Sequence, residues 1–223
     1  VVLVALAVAS LPNLRTPLAS ITALNGNLPV ETISWRQAGD FAKAANTKFS
    51  RELNGRKIRR IREAEWEYSD RASPSAEGVQ VSKTAYFFGD NPSKLRNYVH
   101  FAGDRSLLSG QTSSVFAKAP FGFGIRRSGG VAVWVEDKYA DNYGRKLTFW
   151  GNYFDIEKGP VGPKSDDLRV IRGRLSWKTW SSDSRSVSNW SSRPVYFGRS
   201  AHRDGYNPSY ATSDIGVLLA RTP

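Results

Sequence analysis

The chain has 223 residues and a mass of 24.7 kDa, and its 40% hydrophobic and 23% charged residues are typical of globular proteins, which excludes a disordered or collagen-like chain. It contains no cysteine, so disulfides, thiolate metal sites, iron–sulfur clusters and cysteine nucleophiles are excluded. Its 32 basic and 20 acidic residues give a net charge of +12, which favours attraction to polyanions without indicating specificity.

The longest apolar run, Val1–Ala9, stands at the start of the chain and is bounded by Ser10 and Pro12. No apolar run approaches the roughly 18 to 20 residues that span a bilayer. The run is compatible with the end of a signal segment or with a first core strand, and we favour the strand. The length of the chain favours a single domain over residues 1–223.

Two short amphipathic helices are predicted next. Ser34 and Gln37 have the spacing of a capping box ahead of apolar residues at helical spacing, which predicts a helix over Ser34–Asn46. A second helix is predicted over Arg62–Arg71, with glutamates near its start that suit the helix dipole. One face of this helix is expected to carry Ile61, Ala64, Glu65 and Tyr68, with Trp66 beside it.

The densest basic run, Arg51–Arg62, lies between these two helices and is followed at once by glutamates. Charge runs of this kind are usually solvated. We therefore interpret the run as an exposed loop that leads into the acidic first turn of the second helix.

Beyond Ala72, turn signals are dense and the predicted strands are short. A polar loop is predicted at Ser73–Gly78, an aromatic strand at Ala85–Phe88 and a turn at Gly89–Pro92. Four further strands are predicted, at Val131–Val135, Leu147–Trp150, Leu168–Arg172 and Ile215–Ala220. The pattern indicates a loop-rich α+β fold with small antiparallel sheets.

A set of short motifs extends over about residues 26 to 221. In chain order they are Asn27-Leu28-Pro29-Val30 with Ile33-Ser34-Trp35, Glu63-Ala64-Glu65-Trp66-Glu67-Tyr68, Phe88-Gly89-Asp90, Asn97-Tyr98, Phe123-Gly124, Arg169-Val170-Ile171-Arg172-Gly173, Ser176-Trp177, and Arg199-Ser200-Ala201-His202-Arg203 with Pro208 and Ile215-Gly216. This ordered set resembles the formylglycine-generating-enzyme/sulfatase-modifying-factor family. The resemblance implies a C-type-lectin-like fold whose N-terminal strand region is shortened, with Val1–Leu18 as its remnant. It also favours an extracytoplasmic location, although the sequence itself leaves the compartment open.

Most of the matched residues are expected to maintain the fold. Large apolar anchors for a core with short strands are Trp35, Trp66, Trp134 and Trp177. Side chains expected to tie loops through forked hydrogen bonds are Arg172, Arg199 and Arg203.

The departures from the family concern its redox chemistry. The family's formylglycine-forming oxygenases bind copper through a pair of cysteines, which this chain lacks. Its iron-dependent relatives use a histidine facial triad, whereas this chain has only His100 and His202. We therefore expect no copper, no iron and no catalytic residue of the family's oxygenase type.

Calcium binding stays possible without cysteine, because the resemblance implies two calcium sites built from oxygen ligands. Candidate ligands of the first site are Asn97, Tyr98, Asp104 and Ser106. The altered spacing at Leu107-Leu108 leaves the occupancy of this site undecided. The second site is expected to be empty, since Gly130 and Val133 stand where the family has Asn and Glu.

The sequence favours a non-catalytic binding or structural module, acting on a protein partner, a ligand or the subunits of an assembly. The polar stretch Lys178–Gly198 looks longer than the family's connection and contains seven serines. Its candidate binding anchors are Trp180, Trp190 and Tyr196, because recognition loops combine aromatics with hydroxyl groups. Lectin-like proteins diversified by retroelements present ligand-binding residues in the corresponding region. A merely solvated insertion is equally compatible with the composition.

Two alternatives belong to other functional classes. A residual sulfatase-modifying oxidoreductase would consume oxygen when it is supplied with a peptide and copper or iron. A binder of nucleic acid or another polyanion would use the basic residues of Arg56–Arg62, although that run lacks the interleaved aromatics of single-strand binders.

Overall fold

The computed structural model describes residues 2–4, 28–99, 114–120, 131–140, 168–174 and 198–222. The predicted structural features that lie wholly or partly outside these ranges include the Leu147–Trp150 strand, the remainder of the Val1–Ala9 run beyond strand β1 (Val2–Val4), and Trp177. Among the described residues, no helix has both the length and the apolar composition of a membrane span.

The first predicted helix is confirmed as α1 (Trp35–Lys48). Ser34 Oγ accepts from the Gln37 backbone N–H at 3.2 Å, and the Gln37 side chain accepts from the Ser34 N–H at 2.9 Å, so both halves of the capping box form. The buried face of α1 consists of Ala38, Phe41, Ala42 and Ala45. A short helix, α2 (Ser50–Leu53), follows and ends at Asn54, which adopts the left-handed conformation at φ +46°.

The interpretation of Arg51–Arg62 as an exposed loop is wrong at two places: its first residues belong to α2, with Leu53 buried, and strand β2 (Ile58–Arg60) forms in its second half. Strand alternation turns Ile58 and Arg60 inward. Arg60 is only 8% exposed, and its guanidinium binds Glu136 through two contacts of 2.8 and 3.1 Å. A buried arginine is accommodated there because a carboxylate from a neighbouring strand neutralises it.

The second predicted helix is confirmed as α3 (Glu63–Arg71), but the face that carries Ala64, Glu65 and Tyr68 is not its buried face. Tyr68 is 50% exposed, and the buried residues of the helix are Glu63, Trp66, Ser69 and Asp70. The helix therefore turns Trp66 and two carboxylates toward the core. Glu63 faces inward because Arg172 and Arg203 approach it from the sheet.

The predicted loop at Ser73–Gly78 is instead a hairpin of β3 (Ala72–Ser75) and β4 (Gly78–Val81). Gly78 has φ +115°, a conformation that glycine adopts without a steric penalty, and this allows the tight turn. Turn residues on both sides of short β segments explain why the sequence pattern favoured a loop.

The predicted aromatic strand at Ala85–Phe88 is also wrong, since the segment forms only an isolated bridge between Tyr86 and Gly89. Its rings pack on one another and on Tyr98, with Tyr86 stacked on Phe88 at 5.0 Å between ring centroids. A 3-10 helix over Pro92–Asn97 follows the predicted turn. The aromatic run thus stabilises a side-chain cluster rather than a strand.

Two sheets form around the last part of the chain. The three-stranded sheet has the order β1-β9-β2, and the four-stranded sheet has the order β7-β6-β5-β8. The strands not yet given are β5 (Ala132–Lys138), β6 (Arg169–Arg172), β7 (Arg203–Tyr206), β8 (Ile215–Val217) and β9 (Leu219–Arg221). The predicted strand over Ile215–Ala220 is therefore two strands in different sheets, and β8 runs parallel to β5.

The two inner strands of the four-stranded sheet, β5 and β6, contribute buried residues to both of its faces. Trp134 and Ile171 pair across β5 and β6 and pack with Ala132 and Ile215 on one face. Val135 and Val170 pack with Trp66 of α3 on the other face. The expected α+β fold with two main helices and small sheets is confirmed.

Candidate functional site

The candidate site lies where the chain leaves β6 and returns to β7. These strands are antiparallel neighbours, and Arg172 pairs directly with Arg203 in their ladder. The connection between them comprises residues 173–202 and includes the serine- and tryptophan-rich stretch predicted to bind a partner. Its first residues, Gly173 and Arg174, and its last ones, 198–202, are described.

Two arginines that face each other across a ladder repel one another unless an anion lies between them. Glu63, at the start of α3, is that anion. Its oxygens bind Arg203 Nε and Nη2 at 2.7 Å each, and Oε1 lies 3.5 Å from Arg172 Nε. Glu63 is 1% exposed, so α3 neutralises both strands in a buried position.

The remaining donors of the two arginines hold neighbouring backbone. Arg172 Nη1 donates to the His202 carbonyl at 2.6 Å, and Arg172 Nη2 binds Glu67. Arg203 Nη1 donates to the Ala140 carbonyl at 2.6 Å. The base of the connection is thus held by charge-assisted hydrogen bonds, which are about twice as strong as neutral ones.

Aromatic rings complete this base. The Arg172 guanidinium lies 4.8 Å from the Trp66 ring centroid, and that of Arg203 lies 5.1 Å from the Tyr139 ring centroid. The Tyr139 ring packs directly on the backbone of Gly205, where any Cβ would collide with it. Glycine at position 205 is therefore required for Tyr139 to reach the arginine.

A second polar cluster surrounds Arg174. Its Nη1 binds the Tyr206 hydroxyl and lies 3.3 Å from Asp204 Oδ2, while its Nη2 lies 3.8 Å from Asp214 Oδ2. Burial raises the pKa of the Tyr206 phenol, with Arg174 opposing the shift. Burial would lower the pKa of Arg174, but Tyr206 and the two carboxylates outweigh it and raise that pKa. At neutral pH the cluster therefore combines a neutral phenol with a charged guanidinium.

Asp137 of β5 caps the first turn of α3 from outside the helix. Its Oδ2 accepts from the Glu63 backbone N–H at 2.7 Å, whereas its buried Oδ1 has no hydrogen-bond partner among the described residues. Burial, reinforced by the charges of Glu63 and Glu136, raises the pKa of Asp137 to about 6, while the Glu63 N–H opposes the shift. The charge of Asp137, which accepts a hydrogen bond from the first residue of α3, therefore changes with pH near 6.

Replacing Asp137 by Asn is expected to flatten the pH dependence of stability. The folded pKa of about 6 exceeds the reference value of 3.8, so the stability that Asp137 contributes is complete at low pH and is lost as pH rises through 6. Between about pH 4 and pH 7, wild type should lose up to about 3 kcal/mol relative to the variant. Urea unfolding across this range measures the difference.

The exposed Asp40 provides the control for this experiment, and Asp40→Asn should leave the pH profile parallel to that of wild type. A parallel profile for Asp137→Asn would contradict the assignment of a raised pKa to Asp137.

Of the residues predicted to bind calcium, the structure describes Asn97 and Tyr98. Asn97 is exposed at the end of the 3-10 helix, and its backbone carbonyl accepts from the Ala119 N–H at 3.3 Å. The Tyr98 ring stacks on Phe88 at 4.9 Å and meets the edge of Phe87 at 4.8 Å. Asp104, Ser106 and Gly130 lie outside the described residues, so the calcium assignments stay predictions.

The predicted binding anchors Trp180, Trp190 and Tyr196 also lie outside the described residues. The sequence interpretation did not find the groups that hold the base of their segment, which are Glu63, Glu67, Asp137 and Tyr206. Glu63 and Glu67 have an i, i+4 spacing that places both on one helix face, and this signal was available in the sequence. Of the three arginines predicted to tie loops, Arg172 and Arg203 do so through the contacts above. Arg199 is exposed, and its role in tying a loop stays a prediction.

Comparison with known proteins places this arrangement in a family. No protein of curated function matches the chain. Its fold is similar to Treponema denticola variable protein 1, with a TM-score of 0.61, 21% identity, and coverage of 87% of this chain and 71% of that one. It is also similar to PvdO from Pseudomonas aeruginosa, with a TM-score of 0.55, 21% identity, and coverage of 87% of this chain and 62% of that one, less than two thirds. The family described as "sulfatase-modifying factor enzyme 1-like domain" matches residues 10–223, and the chain belongs to this family.

Proposed function

We propose that this protein is a non-catalytic binding or structural module that contacts a protein partner, or the subunits of an assembly, through its β6–β7 connection. The observation that carries the proposal is the network of hydrogen bonds and ion pairs at the two ends of the connection. Arg172, Arg203 and Arg174 at its two roots are engaged in internal contacts with carboxylates, carbonyls and a phenol. These groups hold the ends of the connection and leave contact with a partner to the residues between them.

The composition of the connection fits recognition. Trp180, Trp190 and Tyr196 offer large contact area at a low cost in side-chain entropy, and the seven serines between Lys178 and Gly198 offer adaptable hydrogen bonds. Loops on a rigid scaffold are the usual carriers of binding residues. The absence of cysteine from the sequence removes the thiolate pair that the resembled oxygenases use.

Single replacement of Trp180, Trp190 and Tyr196 by Ala is expected to weaken partner binding and to leave stability unchanged. A central aromatic hot spot is worth roughly 2 kcal/mol or more, which is about a 30-fold loss of affinity. Partners captured on the immobilised wild-type chain are identified by mass spectrometry and then titrated against each variant. Melting temperatures are measured in parallel.

Phe116→Ala is the matched control, since Phe116 is a described aromatic with 58% exposure outside the connection. It should change neither affinity nor melting temperature. Loss of stability in the three variants with unchanged affinity would assign their aromatics to the core. An unchanged affinity in all variants would remove the connection as the contact surface.

An enzymatic assay separates the oxidoreductase alternative from this proposal. Oxygen consumption is measured with a sulfatase-derived peptide and added copper or iron, and turnover above that of the metal alone would overturn the non-catalytic assignment.

The polyanion alternative has fewer unpaired positive charges available in the basic run than the sequence indicated. Arg59 binds Glu65 at 2.6 and 2.7 Å, and Arg60 binds Glu136, so two cations of the basic run are already paired.

A further inference from the structure

The β3–β4 hairpin presents an exposed edge at a distance in sequence from the β6–β7 connection. All four residues of β4 are exposed, including Val79 at 50% and Val81 at 45%. In the described part of the chain, β4 pairs with β3 alone. An isolated two-stranded hairpin is marginally stable in water and gains from an additional strand.

The hydrogen-bond pattern shows which backbone groups occupy the free edge. The Ser82 N–H donates to the Arg71 carbonyl at 3.1 Å, so the backbone of Ser82 points toward the β3 side of the hairpin. The neighbouring pair along the ladder is Ala72 with Val81. Backbone groups alternate in direction along a strand, so residues 80 and 82 are directed toward β3. The N–H and C=O groups of Val79 and Val81 therefore point toward the free edge.

We propose that this edge is a homodimer interface, in which β4 pairs antiparallel with β4 of a second copy of the chain. Val79 lies opposite Val81 of the second copy, Gln80 lies opposite its own equivalent, and Val81 lies opposite Val79. The two valine pairs then exchange four backbone hydrogen bonds, because their outward groups are in register. Cross-strand pairs of β-branched residues further stabilise such a ladder.

The charges that flank the two valines favour a second copy of the chain as the partner of this edge. Glu77 and Lys83 are exposed, carry opposite charges, and stand two residues beyond Val79 and Val81 respectively. Glu77 stands in the turn between β3 and β4, and Lys83 follows β4. In this register the turn of one copy lies beside the end of β4 of the other, so the two-fold symmetry brings Glu77 of each copy near Lys83 of its partner at both ends. Any shifted register loses both ion pairs. The edge is thus complementary to itself. Pairing of two copies uses the β4 edge of both, so it gives a dimer and not a longer assembly.

The test is the concentration dependence of mass of the full chain, measured by sedimentation equilibrium at low ionic strength. Glu77→Lys and Lys83→Glu each turn two attractions into two repulsions, and each should weaken dimerisation by about tenfold or more. The double variant Glu77→Lys with Lys83→Glu restores both pairs in reversed polarity and should dimerise like wild type. Lys94→Glu is the control, since it makes the same charge change as Lys83→Glu at an exposed site outside the hairpin.

Val81→Pro tests the backbone pairing independently of charge. It removes an outward N–H that β3 does not use, and proline is tolerated on edge strands at such positions. This variant should be monomeric, and its circular dichroism should match that of wild type. A wild-type chain that stays monomeric, as it would if the edge served another protein, overturns the proposal. Failure of the double variant to regain dimerisation also overturns it.

Discussion

Replacing Glu63 by Gln is expected to lower the free energy of unfolding by about 3 to 5 kcal/mol, because it leaves the buried Arg172 and the partly buried Arg203 without their shared anion. Arg172 and Arg203 are directly opposite in the ladder, and Glu63 lies between them with contacts of 2.7 Å to Arg203 and 3.5 Å to Arg172. Gln has nearly the same shape, so the loss reports charge rather than packing. A domain is stable by only about 5 to 15 kcal/mol, so this loss is a large fraction of the total.

Urea unfolding followed by circular dichroism measures this effect. Glu52→Gln is the matched control, since Glu52 is exposed on α2, and its replacement should change stability by less than about 0.5 kcal/mol. An equal effect of the two substitutions would show that Glu63 does not neutralise the β6–β7 pair. The expected loss also bears on function, because the same network holds both roots of the connection proposed to bind a partner.

Replacing Trp134 by Ala is expected to lower the free energy of unfolding by about 3 to 5 kcal/mol through the cavity that it leaves. The Trp134 side chain is fully buried between Ile171 of β6 and Val217 of β8, its partners in the sheet. Its indole N–H donates to the Ile33 carbonyl at 2.8 Å, which joins the central strand to the residue just before the cap of α1. Removal of the ring therefore loses apolar contacts and leaves a buried carbonyl without its donor.

Trp134→Phe separates these two contributions. It keeps most of the apolar volume and loses the hydrogen bond, so a loss of roughly 1 to 3 kcal/mol is expected. A Trp134→Ala variant as stable as wild type in urea unfolding would contradict the central position of this residue in the core.

Local signals explain what the sequence predicted correctly. The Ser34 and Gln37 capping box and the apolar spacing of α1 depend only on residues within a few positions, and both were confirmed. The same holds for the acidic start of α3 and for the strand predicted over Val131–Val135, which forms as β5 (Ala132–Lys138). The ordered motifs indicated the family, since many positions had to match in sequence order.

The errors occurred where a distant partner decides the outcome. Tyr68 was placed with Ile61 and Ala64 on one face of an amphipathic helix, but it is half-exposed. Glu63 packs inward instead, because Arg172 and Arg203 reach it from the sheet. Arg60 was assigned to an exposed loop, but Glu136 of the neighbouring β5 strand allows its burial. Neither carboxylate is close in sequence to the arginines that it neutralises, so no local pattern indicates the pairing.

The sequence by itself determined the family, the positions of the two main helices and the exclusion of thiolate chemistry, because composition and local spacing suffice for each of these. Only the tertiary structure decided which charges are buried and which face of α3 packs inward. It also showed that the two ends of the β6–β7 connection share one base, because Arg172 and Arg203 become neighbours only when the strands pair. The physical reason is that burial of a charge depends on counter-charges brought together by folding, and sequence distance does not encode that proximity.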